Sequence, residues 1–313
     1  MIEAETLARG LVDRVRSAVL DADEAVELLV ACFIAGGHAL IEDRPGVGKT
    51  TLAKALAAAS GLGFARLQCT PDIMPSDVTG NLVLEGGELR FRPGPVFCQL
   101  LLADEINRAS PRTQSSLLEA MEERQVTIDD RSRPLPRPFM VVATQNPIEY
   151  QGTFPLPEAQ LDRFMMRLGI GYPGPDAERV VATGGAAAPS ALAPVCDAEA
   201  ALALQAAAEA VVVAKEIADY AVALCSATRS DSRLLLGASP RATRDLVRAS
   251  KALALVRGRR FVVPDDLKTL AAPVMAHRLV RGSEARIAGL SAEAIVAEIV
   301  DDAYVPAIGS VVA

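Results

Sequence analysis

The sequence predicts an α/β protein with a doubly wound parallel-sheet core and a C-terminal α-helical domain. Short apolar runs at residues 39–41, 100–103 and 139–143 alternate with segments of helical periodicity. Uninterrupted apolar runs are typical of strands buried on both faces, and alternation of strands with helices favours a parallel sheet covered by helices. After residue 198 the apolar spacing is helical, and no strong strand is predicted there.

A change in composition divides the chain. Residues 173–197 contain Pro173-Gly174-Pro175 and Gly184-Gly185, which are typical of a linker. We therefore predict a core over residues 1–172, including N-terminal helices, and a helical domain over residues 198–313.

The elements of the core follow in order from local signals. Apolar positions predict helices over 7–19 and 21–35, and a third helix, 49–60, ends at Gly61. A strand over 64–69 is followed by an irregular segment, 70–80.

The second half of the core contains two predicted hairpins. The first spans 82–91 with a Gly-Gly turn, and the second spans 125–135. Between them, Ser110-Pro111 has the residues that begin a helix. Strands over 139–143 and 164–170 complete the predicted sheet.

In the helical domain, Ser239-Pro240 begins a helix that ends near Gly258, and Pro264 begins another that ends near Arg278.

Composition limits the classes of function. The chain of 313 residues is 50% hydrophobic and 4% aromatic, with a net charge of −7, which disfavours nucleic acid as the main partner. The N-terminus has no signal-peptide pattern, and the longest apolar stretch, 28–41, is short for a membrane span. Five scattered cysteines indicate free thiols in a reducing compartment. We expect a soluble cytoplasmic protein without direct membrane insertion.

A phosphate-binding loop follows the first strand. Gly46 and Gly48 allow a tight backbone path, Lys49 can reach the β- and γ-phosphates, and the Thr50 hydroxyl can bind Mg²⁺. Asp43 stands where the usual pattern has glycine. The predicted nucleotide-binding residues are Asp43, Pro45, Gly46, Val47, Gly48, Lys49, Thr50, Thr51 and Asp104.

A second motif, Leu102-Ala103-Asp104-Glu105, ends an apolar strand in two carboxylates. Ligands of open α/β sheets bind at the carboxyl ends of strands, so Asp104 is expected beside Thr50 as a Mg²⁺ ligand. Glu105 is then placed to accept a proton from the attacking water. The predicted cofactors are ATP and Mg²⁺.

Several motifs together resemble the MoxR family of AAA+ ATPases. They are Pro45-Gly46-Val47-Gly48-Lys49-Thr50, Leu102-Ala103-Asp104-Glu105-Ile106-Asn107-Arg108, Thr144-Gln145-Asn146-Pro147 and Pro157-Glu158-Ala159-Gln160-Leu161-Asp162-Arg163-Phe164. The resemblance is strong over residues 24–172 and continues through Gly237-Ala238-Ser239-Pro240-Arg241-Ala242. It implies a P-loop AAA+ core with a helical lid, and this family often lacks the first loop glycine.

The resemblance also implies catalytic roles. Asn146 matches the sensor that orients the attacking water; the alternative is a turn residue before Pro147. Arg163 matches the arginine finger that acts on the neighbouring subunit; the alternative is an ion pair with Asp162. Arg241 matches a second sensor that contacts the γ-phosphate from the lid, so that ATP would tie the two domains together. Arg108 is a second candidate for a contact in trans.

The implied output is chaperone-like remodelling of a partner protein by a homo-oligomer, a hexameric ring in similar proteins. Partners of this family often carry a von Willebrand factor A domain. The hairpin at 82–91 resembles the family's insertion, and we hypothesise that it contacts the client. Two alternatives stay open: a metal-chelatase-type or nucleic-acid-acting AAA+ motor subunit, and a nucleotide-dependent scaffold without turnover.

Overall fold

The structure is a computed structural model that describes residues 2–147, 152–185 and 187–306. Residues 307–313, the end of the predicted helical domain, lie outside the described part. None of the described helices combines the length and apolar character that crossing a membrane requires.

The first half alternates helices and strands, as the sequence predicts. Its elements are α1 (Ile2–Arg16), α2 (Asp23–Ile34), β1 (Ala39–Glu42), α3 (Lys49–Ser60), β2 (Phe64–Gln68), α4 (Pro75–Thr79), β3 (Gly80–Glu85), β4 (Glu88–Pro93), β5 (Leu100–Asp104), α5 (Pro111–Glu123), β6 (Gln125–Ile128), β7 (Arg131–Pro134), β8 (Met140–Gln145), α6 (Glu158–Leu161), β9 (Met166–Leu168) and α7 (Pro175–Ala182).

Five of these strands form one parallel sheet in the order β2-β5-β8-β1-β9. All strands run the same way, so they all end at one edge of the sheet, which we call the carboxyl edge, and begin at the opposite amino edge. The predicted hairpins are the pairs β3–β4 and β6–β7, outside this sheet.

Side chains that alternate along the strands divide the core into two layers. Ile41 and Leu102 face a layer that includes α1, α2, α3 and the helices of the C-terminal half. Leu40 and Leu101 face a second layer built around α5. The hydrophobic core therefore continues from the sheet into the C-terminal helices without a polar boundary.

The C-terminal half is helical, with two short strands that the sequence did not predict. Its elements are α8 (Ala198–Glu209), α9 (Lys215–Ser230), β10 (Leu234–Leu236), α10 (Pro240–Val256), α11 (Pro264–Met275), β11 (Val280–Arg281), α12 (Ser283–Ile287) and α13 (Ala292–Asp302). The strands β10 and β11 are too short for a period-two pattern to show in the sequence.

The segment 173–197, predicted as a linker between domains, contains α7 and contacts the core where the Val195 N–H donates to the Ala59 carbonyl at 2.8 Å. Two other local expectations were wrong in detail. The segment 70–80, predicted as irregular, contains α4, which begins with Pro75 at its first position. The last strand of the sheet, β9, is shorter than the predicted 164–170 because a turn holds Phe164 before it.

Candidate active site

The phosphate loop connects β1 to α3 at the carboxyl edge. Gly46 and Gly48 have φ angles of 85° and 95°, a left-handed conformation that side chains rarely adopt. Gly48 is also the N-cap residue of α3, so the loop leads directly into the first backbone N–H groups of that helix. Backbone N–H groups at a helix N-terminus are suited to phosphate oxygens.

Lys49 is held above the loop by backbone carbonyls. Its Nζ donates to the carbonyl of Asp43, to that of Arg44 at 3.2 Å and to that of Gln145 at 3.3 Å. The last of these carbonyls belongs to β8, so the ammonium is positioned between two neighbouring strands.

Asp43 does not direct its carboxylate into the cleft. Its Oδ2 accepts hydrogen bonds from the N–H groups of Ile170 and Gly171, both at 2.7 Å, and its Oδ1 accepts one from Arg44 at 2.7 Å. Burial acts to raise the pKa of Asp43, but the backbone donors outweigh it and the pKa lies below its ordinary value. The side chain therefore anchors the loop to the segment after β9. Val47, also predicted to bind nucleotide, is buried.

A set of oxygen atoms suited to Mg²⁺ lies beside the loop. The Thr50 hydroxyl donates to Asp104 Oδ2 at 3.3 Å, and the Thr144 hydroxyl donates to Asp104 Oδ1 at 2.6 Å. Hydroxyl and carboxylate oxygens are the ligands that Mg²⁺ accepts in phosphate sites. The sequence prediction for Thr50 and Asp104 thus corresponds to two side chains in direct contact. In the described part, no three or more His, Cys, Asp or Glu side chains lie together in a group that could hold a metal ion. The oxygens of Thr50 and Asp104 are a smaller set of a different kind.

Glu105 has a strained position directly after β5. Its φ angle is 58°, which is uncommon for a residue other than glycine, and its N–H donates to Thr144 Oγ1 at 2.9 Å. Its carboxylate accepts hydrogen bonds from Gln68 Nε2 at 3.0 Å and from Arg108 Nη1 at 3.1 Å. Arg108 therefore contacts the site of its own chain, whereas the sequence reasoning considered it for a contact in trans.

Sequence reasoning missed three residues of this site: Arg66, Gln68 and Thr144. Arg66 donates through Nη2 to Asp104 Oδ2 at 2.7 Å, so a guanidinium lies on the predicted metal ligand. Arg66 and Gln68 are two residues apart on β2, and Gln68 is in register with Asp104. Only the order of the strands could have shown this proximity.

The cleft enclosed by these groups has a volume of about 360 Å³. Asn146, at the end of β8, is buried among its lining residues. Pro45, Gly46, Gly48, Thr51, Asp104 and Glu105 also line it, so most of the predicted nucleotide-binding residues come together.

Two predicted arginines lie at the opposite, amino edge. Arg163 and Arg241 both pair with Glu122 of α5, at 3.1 and 3.3 Å. Arg163 therefore forms its ion pair with Glu122, and not with Asp162 as the alternative interpretation of the sequence had it. The preceding residue of α5, Met121, has its carbonyl 3.1 Å from Nε2 of His38, which directly precedes β1.

The geometry separates these arginines from the phosphate loop of their own chain. The loop follows β1, whereas Arg163 and Arg241 lie near its beginning, and a strand of four residues spans about 13 Å. Neither arginine lines the cleft. The predicted contact of Arg241 with the γ-phosphate stays a prediction, and in this structure Arg241 lies with Glu122 at the amino edge.

A buried ionic network holds the segment that carries Arg163. Arg278, which is 2% exposed, donates through Nη2 to Asp245 at 2.8 Å and to the carbonyls of Asp162 and Phe164 at 3.2 and 2.8 Å. Ser239 adds a hydrogen bond from Oγ to Asp162 Oδ1 at 3.1 Å. The C-terminal helices thus fix the backbone on both sides of Arg163.

Two buried histidines, His38 and His277, form hydrogen bonds with backbone groups at this edge. His38 Nδ1 accepts from the Val141 N–H at 2.9 Å, so Nε2 carries the proton that is donated to Met121. Burial lowers the pKa of His38 to about 3. Burial likewise lowers the pKa of His277, whose Nε2 lies 3.0 Å from the Phe164 carbonyl. Both rings are structural, and His38 lies away from the phosphate loop.

The five cysteines are free thiols, and Cys32, Cys69 and Cys225 are buried. Burial raises the pKa of Cys69 to about 12, which keeps this thiol protonated and unreactive.

Comparison with known proteins gives consistent matches. A model described as the ATPase family associated with various cellular activities (AAA) matches residues 38–166, and a model of the AAA lid domain matches residues 226–299. The Mycobacterium tuberculosis protein named Chaperone MoxR1 is 38% identical over an alignment of 320 positions. The alignment covers 99% of this chain and 85% of that protein.

Two further relatives extend the comparison. An uncharacterised Bacillus subtilis protein, YeaC, is 46% identical over 283 residues, 89% of this chain and 88% of that protein. A crystal structure of a Cytophaga hutchinsonii protein superposes with a TM-score of 0.89 at 34% identity, covering 97% of this chain and 96% of that one.

Proposed function

Because the chain belongs to the MoxR family of AAA+ ATPases, we propose that it binds ATP with Mg²⁺ and hydrolyses it by attack of water on the γ-phosphate. The observation that carries this proposal is the meeting of Lys49, Thr50, Asp104 and Glu105 in one cleft at the carboxyl edge. A scaffold that only binds nucleotide would not need a carboxylate held beside the phosphate position.

Each residue of the cleft has a chemical task in this proposal. The loop N–H groups and Lys49 bind the phosphates, and Thr50 and Asp104 hold Mg²⁺, which neutralises phosphate charge when bound. Arg66 must then leave Asp104, because two cations cannot share one carboxylate oxygen without repulsion. Glu105 accepts the proton of the attacking water, and Asn146 orients that water.

Completion of the site requires a second subunit. Arg163 and Arg241 lie at the amino edge, away from their own phosphate loop, and a guanidinium stabilises the charge of a transferring phosphoryl group. We therefore assign both arginines to the nucleotide of the neighbouring subunit. This assignment supports a closed ring, which the family resemblance implies to be hexameric.

The lid then connects nucleotide state to subunit contact. Arg278 bonds the backbone on both sides of Arg163, and α10 carries Arg241. A movement of the lid would displace both arginines together, since both depend on the same helices. Such coupling lets the nucleotide of one subunit alter the position of the next.

The proposed output is chaperone-like remodelling of a partner protein in the cytoplasm. The name of the M. tuberculosis relative, Chaperone MoxR1, supports it. The family resemblance supports a partner with a von Willebrand factor A domain. The β3–β4 hairpin supplies a contact surface, because Leu84 and Leu89 are directly paired across the strands and are 72% and 67% exposed.

Mixed assemblies provide the test of a shared site. Lys49→Ala removes the phosphate ligand, and Arg163→Ala removes the proposed finger. Each variant alone should have almost no steady-state ATPase activity. Equimolar mixing should restore measurable activity, because the loop of an Arg163→Ala subunit can meet the finger of a Lys49→Ala subunit.

The controls separate the two parts of the proposal. Mixing Lys49→Ala with the double variant Lys49→Ala/Arg163→Ala should restore nothing, since no subunit then has an intact loop. If the wild type binds ATP without turnover in its assembled form, the enzymatic proposal is wrong. If the wild type hydrolyses ATP but the mixture of Lys49→Ala and Arg163→Ala shows no activity, only the proposed action of Arg163 in trans is wrong.

A further inference from the structure

A second cavity lies at the amino edge between the sheet domain and the lid, with a volume of about 880 Å³. The end of α2, the residues that follow α5 and the helices α8, α9 and α10 form its walls. Six cationic side chains and one carboxylate, Glu209, line it. The cations are Arg124, Arg137, Arg229, Arg244, Arg248 and Lys251. This positive cavity stands out in a chain whose net charge is −7.

Two of the arginines are held by neutral groups. Arg248 donates through Nη2 to the Ala35 carbonyl at 2.7 Å, and Arg124 donates through Nη2 to the Gly36 carbonyl at 2.9 Å. Within the described residues, neither of them nor Arg137 forms an ion pair with a carboxylate. The carbonyls fix the two guanidinium groups while leaving their charge uncompensated.

Arg137 and Arg248 both repel Arg124. Burial lowers the pKa of Arg124, and the positive charges of Arg248 and Arg137 lower it further. Like charges in a partly buried site favour binding of an anion, which removes the repulsion and satisfies the remaining N–H donors.

We propose that this cavity binds a small phosphorylated molecule, with its phosphates on Arg124, Arg137 and Arg248. Guanidinium groups bind phosphate oxygens through paired N–H donors. Ile34, Val222 and Val247 form an apolar wall for the rest of the molecule. The volume lies within the range of small-molecule pockets, about 300–1,000 Å³, and walls on both domains favour such a ligand over an extended acidic peptide.

The site is separate from the nucleotide cleft. The two cavities share no lining residue, and they lie at opposite edges of the sheet. The proposal does not depend on ATP hydrolysis. Its location has a consequence, because a ligand that contacts Arg124 after α5 and Arg248 on α10 joins the two elements that carry Glu122 and Arg241.

The test is titration calorimetry with inorganic pyrophosphate, without Mg²⁺, on the full chain carrying Lys49→Ala to weaken the phosphate loop. We expect one pyrophosphate to bind per chain. Adding Arg137→Gln or Arg248→Gln should weaken binding at least about tenfold, because each removes a charged donor. The matched control is Arg90→Gln, which removes the same charge from the exposed β4 strand and should leave binding unchanged.

Arg137 provides the safer variant. Its side chain is exposed, whereas Arg248→Gln also removes the bond to Ala35 and could affect folding. Absence of pyrophosphate binding would overturn the proposal, as would equal binding by the Arg137→Gln and Arg90→Gln proteins. Binding of a polyglutamate peptide in place of pyrophosphate would overturn it too, and would identify the cavity as a protein-docking surface.

Discussion

The two edges of the central sheet differ in what they contain. The carboxyl edge holds the groups that we propose to bind phosphate, magnesium and water: Lys49, Thr50, Asp104 and Glu105. The amino edge holds Arg163 and Arg241 on Glu122, the two histidines and the basic cavity. One chain therefore carries both halves of the proposed catalytic site, about one strand length apart. This separation makes assembly part of the proposed chemistry.

The edges also differ in how their charges are balanced. At the carboxyl edge, acidic groups hold the cations Arg66 and Arg108 near the positions of ligands. At the amino edge, Arg124 and Arg248 of the basic cavity are bound to backbone carbonyls. Small movements at the carboxyl edge can exchange one cation for another, whereas the amino edge has unbalanced positive charge that an anion can neutralise.

The largest expected effect comes from removing the finger at the amino edge. Arg163→Ala should lower kcat for ATP by about a thousandfold, because a guanidinium in trans stabilises the transition-state charge, while nucleotide affinity changes little. Phosphate release and binding of a fluorescent ATP analogue measure the two quantities. The matched control, Arg112→Ala on the exposed start of α5, should retain wild-type turnover. A large loss of affinity in Arg163→Ala would place this arginine in its own cleft.

The next effect tests how the lid holds that finger. Arg278→Gln should lower the free energy of unfolding by about 3 kcal/mol, because it removes the buried partner of Asp245 and leaves that carboxylate only the exposed guanidinium of Arg244. Urea unfolding measures this change, and the surviving folded protein should show a lower kcat with unchanged nucleotide affinity. Arg286→Gln, which removes an exposed arginine from α12, serves as the control. A destabilised protein with normal kcat would show that the network supports the fold alone.

Removal of the base tests the carboxyl edge. Glu105→Gln should reduce turnover by about a hundredfold, the typical contribution of general-base catalysis, and should preserve binding of Mg²⁺ and ATP. Single-turnover kinetics separate the chemical step from product release. Glu119→Gln, an exposed change on α5, should have no effect. Equal turnover by both variants would assign proton transfer to another group.

The smallest effect is a pH dependence of stability at the amino edge. The pKa of His38 falls from 6.5 to about 3 on burial, so the folded protein keeps the ring neutral. The unfolded chain takes up a proton on His38 below pH 6.5, whereas the folded protein does so only near pH 3. The free energy of unfolding is therefore unaffected by His38 above pH 6.5. It decreases as the pH falls from 6.5 toward 3, by at most about 1.4 kcal/mol per pH unit for this residue. Urea unfolding at pH 7 and pH 5 should show a smaller difference for His38→Gln than for wild type. An identical difference in the free energy of unfolding for the two proteins would mean that His38 does not contribute to the pH dependence of stability.

Local signals in the sequence were sufficient to predict the fold class and the phosphate-loop side of the site. Gly46, Gly48, Lys49 and Thr50 lie within five consecutive residues, so local backbone geometry predicts their role. Asp104 and Glu105 could be placed beside them because parallel buried strands end at a common edge. The predicted helices at 240–258 and 264–278 correspond to α10 and α11, since capping residues and apolar spacing are local signals.

The other features of the site depend on which elements become neighbours, so they become visible only in the folded protein. The order of the strands brings Arg66 and Gln68 of β2 to the carboxylates of β5. The packing of α10 places Arg241 beside Arg163 and away from its own phosphate loop. The basic cavity combines residues more than a hundred positions apart, such as Arg124 and Arg248. Contacts of this kind arise from the way the lid is packed on the sheet domain, and no local pattern in the chain encodes them.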